Sequence, residues 1–211
     1  MNLALVVLSP FVGALLAAWV TRFGRLQSAA VAGLVTALSI AWLIPLASYP
    51  FSGETVVWSV PWIPGAGLEF SFRLDGLGLL FALLILGIGF LVVLYARYYL
   101  REGDSMGRFY AYLLAFMGSM LGIVLSENVI QLLVFWELTS LTSFLLISYW
   151  QHRRDAREGA LMALAITGAG GLALLGGLLL LGHIVGSYAL TDILAAGDTV
   201  RAHPLYLPTL V

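Results

Sequence analysis

The sequence predicts an all-α polytopic membrane protein, with about six transmembrane helices and a short external β-hairpin between the second and third. Three observations carry this. The 211 residues are 61% hydrophobic and 10% charged, with a mean hydropathy of +1.00, well beyond the range of soluble globular domains. The apolar residues gather into six long runs, each able to cross about 30 Å of hydrocarbon as a helix. The charges between those runs are distributed unevenly.

The runs fall at residues 3–21, 28–49, 77–100, 109–126, 128–150 and 160–186. No basic residue precedes the first, and Arg22 and Arg25 follow it, which is the pattern of an uncleaved first span rather than a cleavable signal peptide. TRFGRLQS then turns the chain into the second run, completing a segment of two spans over residues 1–52. Pro10 and Pro45 fall inside spans, where neighbouring helices can satisfy the backbone groups that proline frees.

Residues 53–75 break the pattern. In GETVVWSVPWIPGAGLEFSFRLD, Leu68, Phe70 and Phe72 alternate with Glu69, Ser71 and Arg73, a period of two behind a Pro/Gly-rich turn. This predicts a hairpin on the outer membrane surface, after which Asp75 is placed to cap the third span. Spans three to six occupy 76–186. RYYLREGDSMGRFY separates the third and fourth, Ser126-Glu127-Asn128 forms a tight corner before the fifth, and QHRRDAREG leads to the sixth. Residues 187–211 read as an external loop with a short helix near Thr191–Ala196. The closing LYLPTLV resembles the opening of a further span, so the chain reads as the first piece of something longer.

All ten basic residues are arginine. Arg22, Arg25, Arg97, Arg101, Arg108, Arg153, Arg154 and Arg157 flank the odd-to-even connections; only Arg73 and Arg201 lie on the other side. That bias places the N-terminus outside and these connections in the cytoplasm. The arginines themselves are read as topology signals.

Several function classes are excluded by residue type. Without cysteine there are no disulfides or thiolate metal sites, and His152, His183 and His203 lack metal-ligand spacing. No nucleophile–base pair, phosphate loop or basic nucleic-acid face is present. No metal, cofactor or nucleic-acid partner is expected.

One residue points to a function. Glu137 is the sole formal charge in NVIQLLVFWELTSLTSFLLISYW, residues 128–150. A carboxylate at mid-membrane costs about 2.5–3.5 kcal/mol on insertion scales and needs a partner, a wet cavity or a bound proton. Desolvation favours its protonated form and an approaching cation its charged form, so alternation between the two would exchange a proton for a cation. Ser140 shares its helix face, and His183, at the end of the sixth run, is a candidate shuttle because histidine titrates near neutral pH. The plainer readings are helix packing for Ser140, Thr142 and Ser143, an interfacial histidine for His183, a solvated turn carboxylate for Glu127 and close helix approach for Gly168, Gly170, Gly171, Gly176 and Gly177.

SFRLDGLGLLFALLILGIGFLVVLYARYYL and RFYAYLLAFMGSMLGIVLSENVIQLLVFWELTSLTSFLLISYW closely resemble the large A-type subunit of Mrp-type multisubunit cation/proton antiporters. That large subunit is related to the antiporter-like subunits of respiratory complex I. The resemblance implies a long helical bundle with inverted repeats and several small membrane subunits as partners. It implies exchange of internal Na⁺, or in some members K⁺ or Ca²⁺, for external H⁺ across a bacterial cell membrane, with Glu137 as the proton-relay carboxyl. Two departures are visible. The family's buried lysines have no counterpart in this chain. Gly168-Ala169-Gly170-Gly171 stands where complex I relatives carry an Arg-Val-Gly-Asp-like stretch, which favours the Mrp side. The alternatives are a proton-translocating membrane-arm subunit of a complex I-like or hydrogenase-linked oxidoreductase, and a mainly structural subunit that holds a complex together.

Overall fold

The computed structural model describes residues 3–63, 68–101 and 103–210. Its helices are α1 Leu3–Val20, α2 Arg25–Leu43, α3 Ser48–Phe51, α4 Gly76–Tyr99, α5 Met106–Leu125, α6 Val129–Ile147, α7 Arg154–Val185, α8 Leu190–Ala195 and α9 Gly197–Ala202. Strands β1 Val56–Ile63 and β2 Leu68–Leu74 lie between α3 and α4 and pair antiparallel. Among the described residues, six helical segments are long and apolar enough to cross a membrane. They run alternately up and down. One end of the bundle carries the hairpin, and the other carries the turns rich in arginine.

Local sequence explains where these elements begin and stop. Asp75 caps α4 as expected, its Oδ1 accepting the Gly78 N–H at 2.8 Å. Asn128 caps α6, accepting from Ile130 and Gln131 at 2.9 and 3.3 Å. Pro45 opens a 3₁₀ turn, Ile44–Leu46, and α2 stops at Leu43, so the second run is a helix, a turn and the short α3. The sixth run starts earlier than its hydropathy indicates. Asp155 lies in the first turn of α7, the favourable end for an acid, and the helix extends over 32 residues. The short helix expected near Thr191–Ala196 is α8, and α9 follows it.

Helix packing here depends on small residues meeting large ones. The buried positions of α7 are Ala160, Gly171 and Gly182, each eleven residues from the next. Eleven residues are just over three full turns, so all three share one narrow stripe. On α5, a side chain at Gly122 would overlap the Phe135 ring, and one at Gly118 the Phe11 ring. These glycines let α1 and α6 lie close to α5.

The hairpin is packed more deeply than a surface ribbon. Phe72 is fully buried, stacked on Trp58 with ring centroids 6.1 Å apart and meeting Phe135 of α6 at the same distance. On the polar side of β2, Ser71 is buried beneath the α5–α6 corner while Glu69 stays exposed. The expected Pro/Gly turn at 64–67 lies outside the described residues.

Candidate functional site

Glu137 sits mid-way along α6, eight residues from Val129 and ten from Ile147. Its direction follows from Phe135. That ring is buried against α5, over Gly122, and meets Phe11 of α1 at 6.3 Å. Two residues further on is about 200° around the helix. Glu137 therefore points away from this aromatic core, towards α7. There the carboxylate rests against Gly171: a β-carbon at that position would overlap Oε1 and stand 3.0 Å from Cδ.

Glu137 is half-buried, and its carboxylate takes part in no hydrogen bond or ion pair among the described residues. The neighbouring hydroxyls are committed to their own helix. Ser140 is buried and donates to the Trp136 carbonyl at 3.3 Å. Thr139 and Thr142 donate to Phe135 and Leu138 carbonyls at 2.8 and 2.7 Å. Such back-bonding satisfies the hydroxyl donors within the apolar span. His183 is exposed in the last turn of α7, twelve residues beyond Gly171 or about 18 Å along the axis. The structure thus brings Glu137, Ser140 and Gly171 into one neighbourhood and leaves His183 at the hairpin end. Of the other glycines on α7, Gly177 approaches the Thr209 carbonyl, while Gly168, Gly170 and Gly176 face open space.

A second polar centre lies at the hairpin end, and here the sequence reading of Glu127 is corrected. Glu127 is no solvated turn residue; its side chain is 9% exposed. Its Oε1 accepts the Thr191 N–H at 3.0 Å and the Thr191 hydroxyl. Its Oε2 lies 3.8 Å from Arg73 Nη1, and Arg73 also pairs with Asp75 at 3.5 Å. The corner backbone is equally engaged: Glu127 N–H donates to Ser71 O at 3.0 Å, and Leu190 N–H donates to Glu127 O at 2.6 Å. Ser126–Asn128 thus forms isolated bridges to Phe72 on one side and Ala189 on the other.

Gln131 completes this centre. Its side-chain amide accepts the Ser71 N–H at 2.8 Å and donates to Ser71 O at 2.9 Å, imitating a neighbouring strand, and it donates to Ser126 Oγ at 3.1 Å. Sequence reasoning misses both the Arg73 pairing and the Gln131 clamp. The available signals were Arg73, the one arginine in the hairpin, and a lone glutamine in the first turns of an otherwise apolar span.

Comparison with known proteins agrees with this architecture. Residues 62–110 match the family model described as NADH-Ubiquinone oxidoreductase (complex I), chain 5 N-terminus. Residues 126–207 match NADH:quinone oxidoreductase/Mrp antiporter, TM. The chain is 50% identical over 212 aligned residues to the probable K⁺/H⁺ antiporter A/B-type subunit from Rhizobium meliloti, covering 99% of this chain and 21% of that protein. It is 44% identical over 206 residues to the Na⁺/H⁺ antiporter A-type subunit of Alkalihalophilus pseudofirmus, covering 97% and 26%. The Mrp complex structure from Dietzia sp. DQ12-45-1b superposes with a TM-score of 0.82 at 31% identity, covering all of this chain and 22% of that one. The chain spans a fifth to a quarter of the length of these relatives. It belongs to the family of antiporter-like membrane subunits that Mrp complexes share with NADH:quinone oxidoreductase, and within that family it is similar to the large A-type subunit of Mrp complexes.

Proposed function

We propose that this chain acts in an antiporter complex of several subunits that exchanges cytoplasmic Na⁺ or K⁺ for external H⁺, with Glu137 as the intramembrane proton-relay carboxyl. One observation carries the reading: a mid-span carboxylate rests on a glycine backbone without hydrogen-bond or ion partner among the described residues. An acid so placed has an insertion cost and no structural bond in return. A free proton-accepting group in a poorly solvated place is what alternation between H⁺ and a cation requires. The antiporter names of the relatives support the cation and the multisubunit setting. The bilayer is that of a bacterial cell membrane, with the arginine-rich end cytoplasmic and the N-terminus outside, by the charge bias. Ser140 and His183 are secondary candidates: Ser140 through proximity, His183 as a carrier at the external mouth.

Glu137→Gln in the protein within its complex removes the titratable group while keeping the shape. Exchange measured in everted vesicles should fall to background with the complex still assembled; unchanged exchange would discard the relay. The family also includes complex I subunits, which leaves a second reading, proton translocation driven by a redox partner. Quinone-dependent proton pumping by the purified complex without Na⁺ or K⁺ exchange would select it.

A further inference from the structure

The arginine end holds a pocket that proton relay does not use. It has a volume of about 490 Å³ and is lined by Tyr99, Arg101, Asp104, Trp150, His152 and Arg153. The end of α4, the loop into α5 and the α6–α7 turn converge there. The one acid in the lining is already committed as scaffold. Asp104 Oδ1 accepts the Trp150 indole N–H at 3.2 Å, and Oδ2 accepts the Arg101 N–H at 2.9 Å.

The basic groups are by contrast available. The Arg101 guanidinium engages no hydrogen bond or ion pair among the described residues. Arg153 has only a 3.8 Å contact with Asp155, between side chains 58% and 89% exposed. Glu102, next in sequence to Arg101, lies outside the described residues. The wider surroundings are positive too. By sequence, the segments joining the spans at this end carry eight arginines and four acids, Glu102, Asp104, Asp155 and Glu158, a formal surplus of 8 − 4 = +4.

A track leads out of the pocket along the membrane-facing side of α4. Tyr99 stacks on Tyr95 at 5.2 Å. Tyr99, Tyr95 and Leu91 are exposed at successive i−4 steps, with exposed Ile88 beyond them. A polar, cationic seat at the level of the helix ends, continued by an aromatic and then aliphatic stripe towards mid-span, has the order of parts of a phospholipid. We propose that this pocket seats the phosphodiester headgroup of an anionic phospholipid, held by Arg101 and Arg153, with its acyl chain lying along Tyr95 and Leu91. Guanidinium groups suit that role because their planar donors match phosphate oxygens. Anionic lipids also concentrate at basic pockets between membrane helices. The proposal does not depend on the ion-exchange reading.

The test is native mass spectrometry of the protein purified from its membranes, with exchange into nanodiscs of phosphatidylglycerol or phosphatidylcholine. Wild type should retain phosphatidylglycerol in preference to phosphatidylcholine. Arg101→Gln with Arg153→Gln should lower that retention about tenfold or more, the effect of losing two charge-assisted contacts. Arg154→Gln should leave it unchanged, because Arg154 pairs with Glu158 on the outside of α7. Equal retention of both lipids by wild type overturns the proposal whatever the variants do. Displacement of phosphatidylglycerol by inorganic phosphate alone would mark a free-anion site and overturn it, as would a cross-link placing another polypeptide's acidic side chain in the pocket.

Discussion

The Glu137 carboxylate lies against the backbone of Gly171, in a space that a single methyl group would fill. The acid and the glycine sit on adjacent helices, and each restricts what the other position can hold. Phe135 turns Glu137 towards α7, and Gly171 leaves room for the side chain to extend there.

Gly171→Ala therefore separates the position of the acid from its chemistry. The methyl would overlap Oε1, so the carboxylate must swing to another rotamer or α7 must move away. Exchange should fall by at least tenfold with the complex still assembled, the usual consequence of shifting a reacting group by about 1 Å. Gly168→Ala and Gly170→Ala face open space. They should leave exchange intact and raise thermal stability slightly, since alanine is favoured over glycine in a helix by about 0.8–1 kcal/mol. Equal activity in all three variants would show that the contact has no bearing on Glu137.

The polar centre at the hairpin end makes a different prediction, about how the hairpin is held. Gln131→Leu keeps the volume and removes both bonds to Ser71. The buried Ser71 N–H loses its acceptor, which costs about 1–3 kcal/mol. Hydrogen exchange should then quicken across β2 and its partners in β1, while α1 and α5 stay protected. Gln131→Glu should be worse than leucine, because a carboxylate cannot donate to Ser71 O and repels it. If protection of the hairpin were the same in wild type and both variants, the aromatic contacts of Phe70 and Phe72 with Phe135 would be sufficient to hold it.

The six spans, the hairpin and the Asp75 cap were legible because each is a local pattern. Apolar run length, a period of two, and an acid before a helix all lie within a short window. Glu127 was misread because its partners are remote: Arg73 is 54 residues earlier, and Thr191 is 64 later. A window around Ser126-Glu127-Asn128 shows only a tight corner, which by itself belongs in solvent. Gly171 was legible as one of several small residues permitting helix approach. That it alone meets the acid depends on the rotation of α6, which Phe135 sets through contacts with α1, α5 and the hairpin. The burial of Ser71 was not legible for a similar reason: alternation assigns a strand two faces but does not say that another corner covers Ser71. Glu137 itself stood out because a charge inside an apolar span needs no tertiary knowledge to be anomalous.

Glu127 and Thr191 offer the sharpest test of the polar centre at the hairpin end, because their coupling can be isolated. Glu127→Ala removes the acceptor of both Thr191 bonds and leaves Arg73 with Asp75 and with the Thr191 hydroxyl oxygen, which accepts from Arg73 Nη1 at 3.2 Å. A largely buried guanidinium short of one partner should add to the lost hydrogen bonds, for a total of about 2–4 kcal/mol. Thr191→Val deletes the hydroxyl's bonds to Glu127 and Arg73 and keeps the backbone one, so it should cost about 1–3 kcal/mol. In the double variant the hydroxyl's bond to Glu127 is shared by both changes and is lost only once. The two costs should then fall short of additivity by about 1 kcal/mol. Hydrogen exchange at the Thr191 amide and through α8 reads the same event locally, and it should accelerate in Glu127→Ala while the middle of α7 is unaffected. Full additivity, with unchanged protection at Thr191, would mean that α8 is held by the Leu190 and Val129 backbone bonds and that the buried acid serves only to balance Arg73.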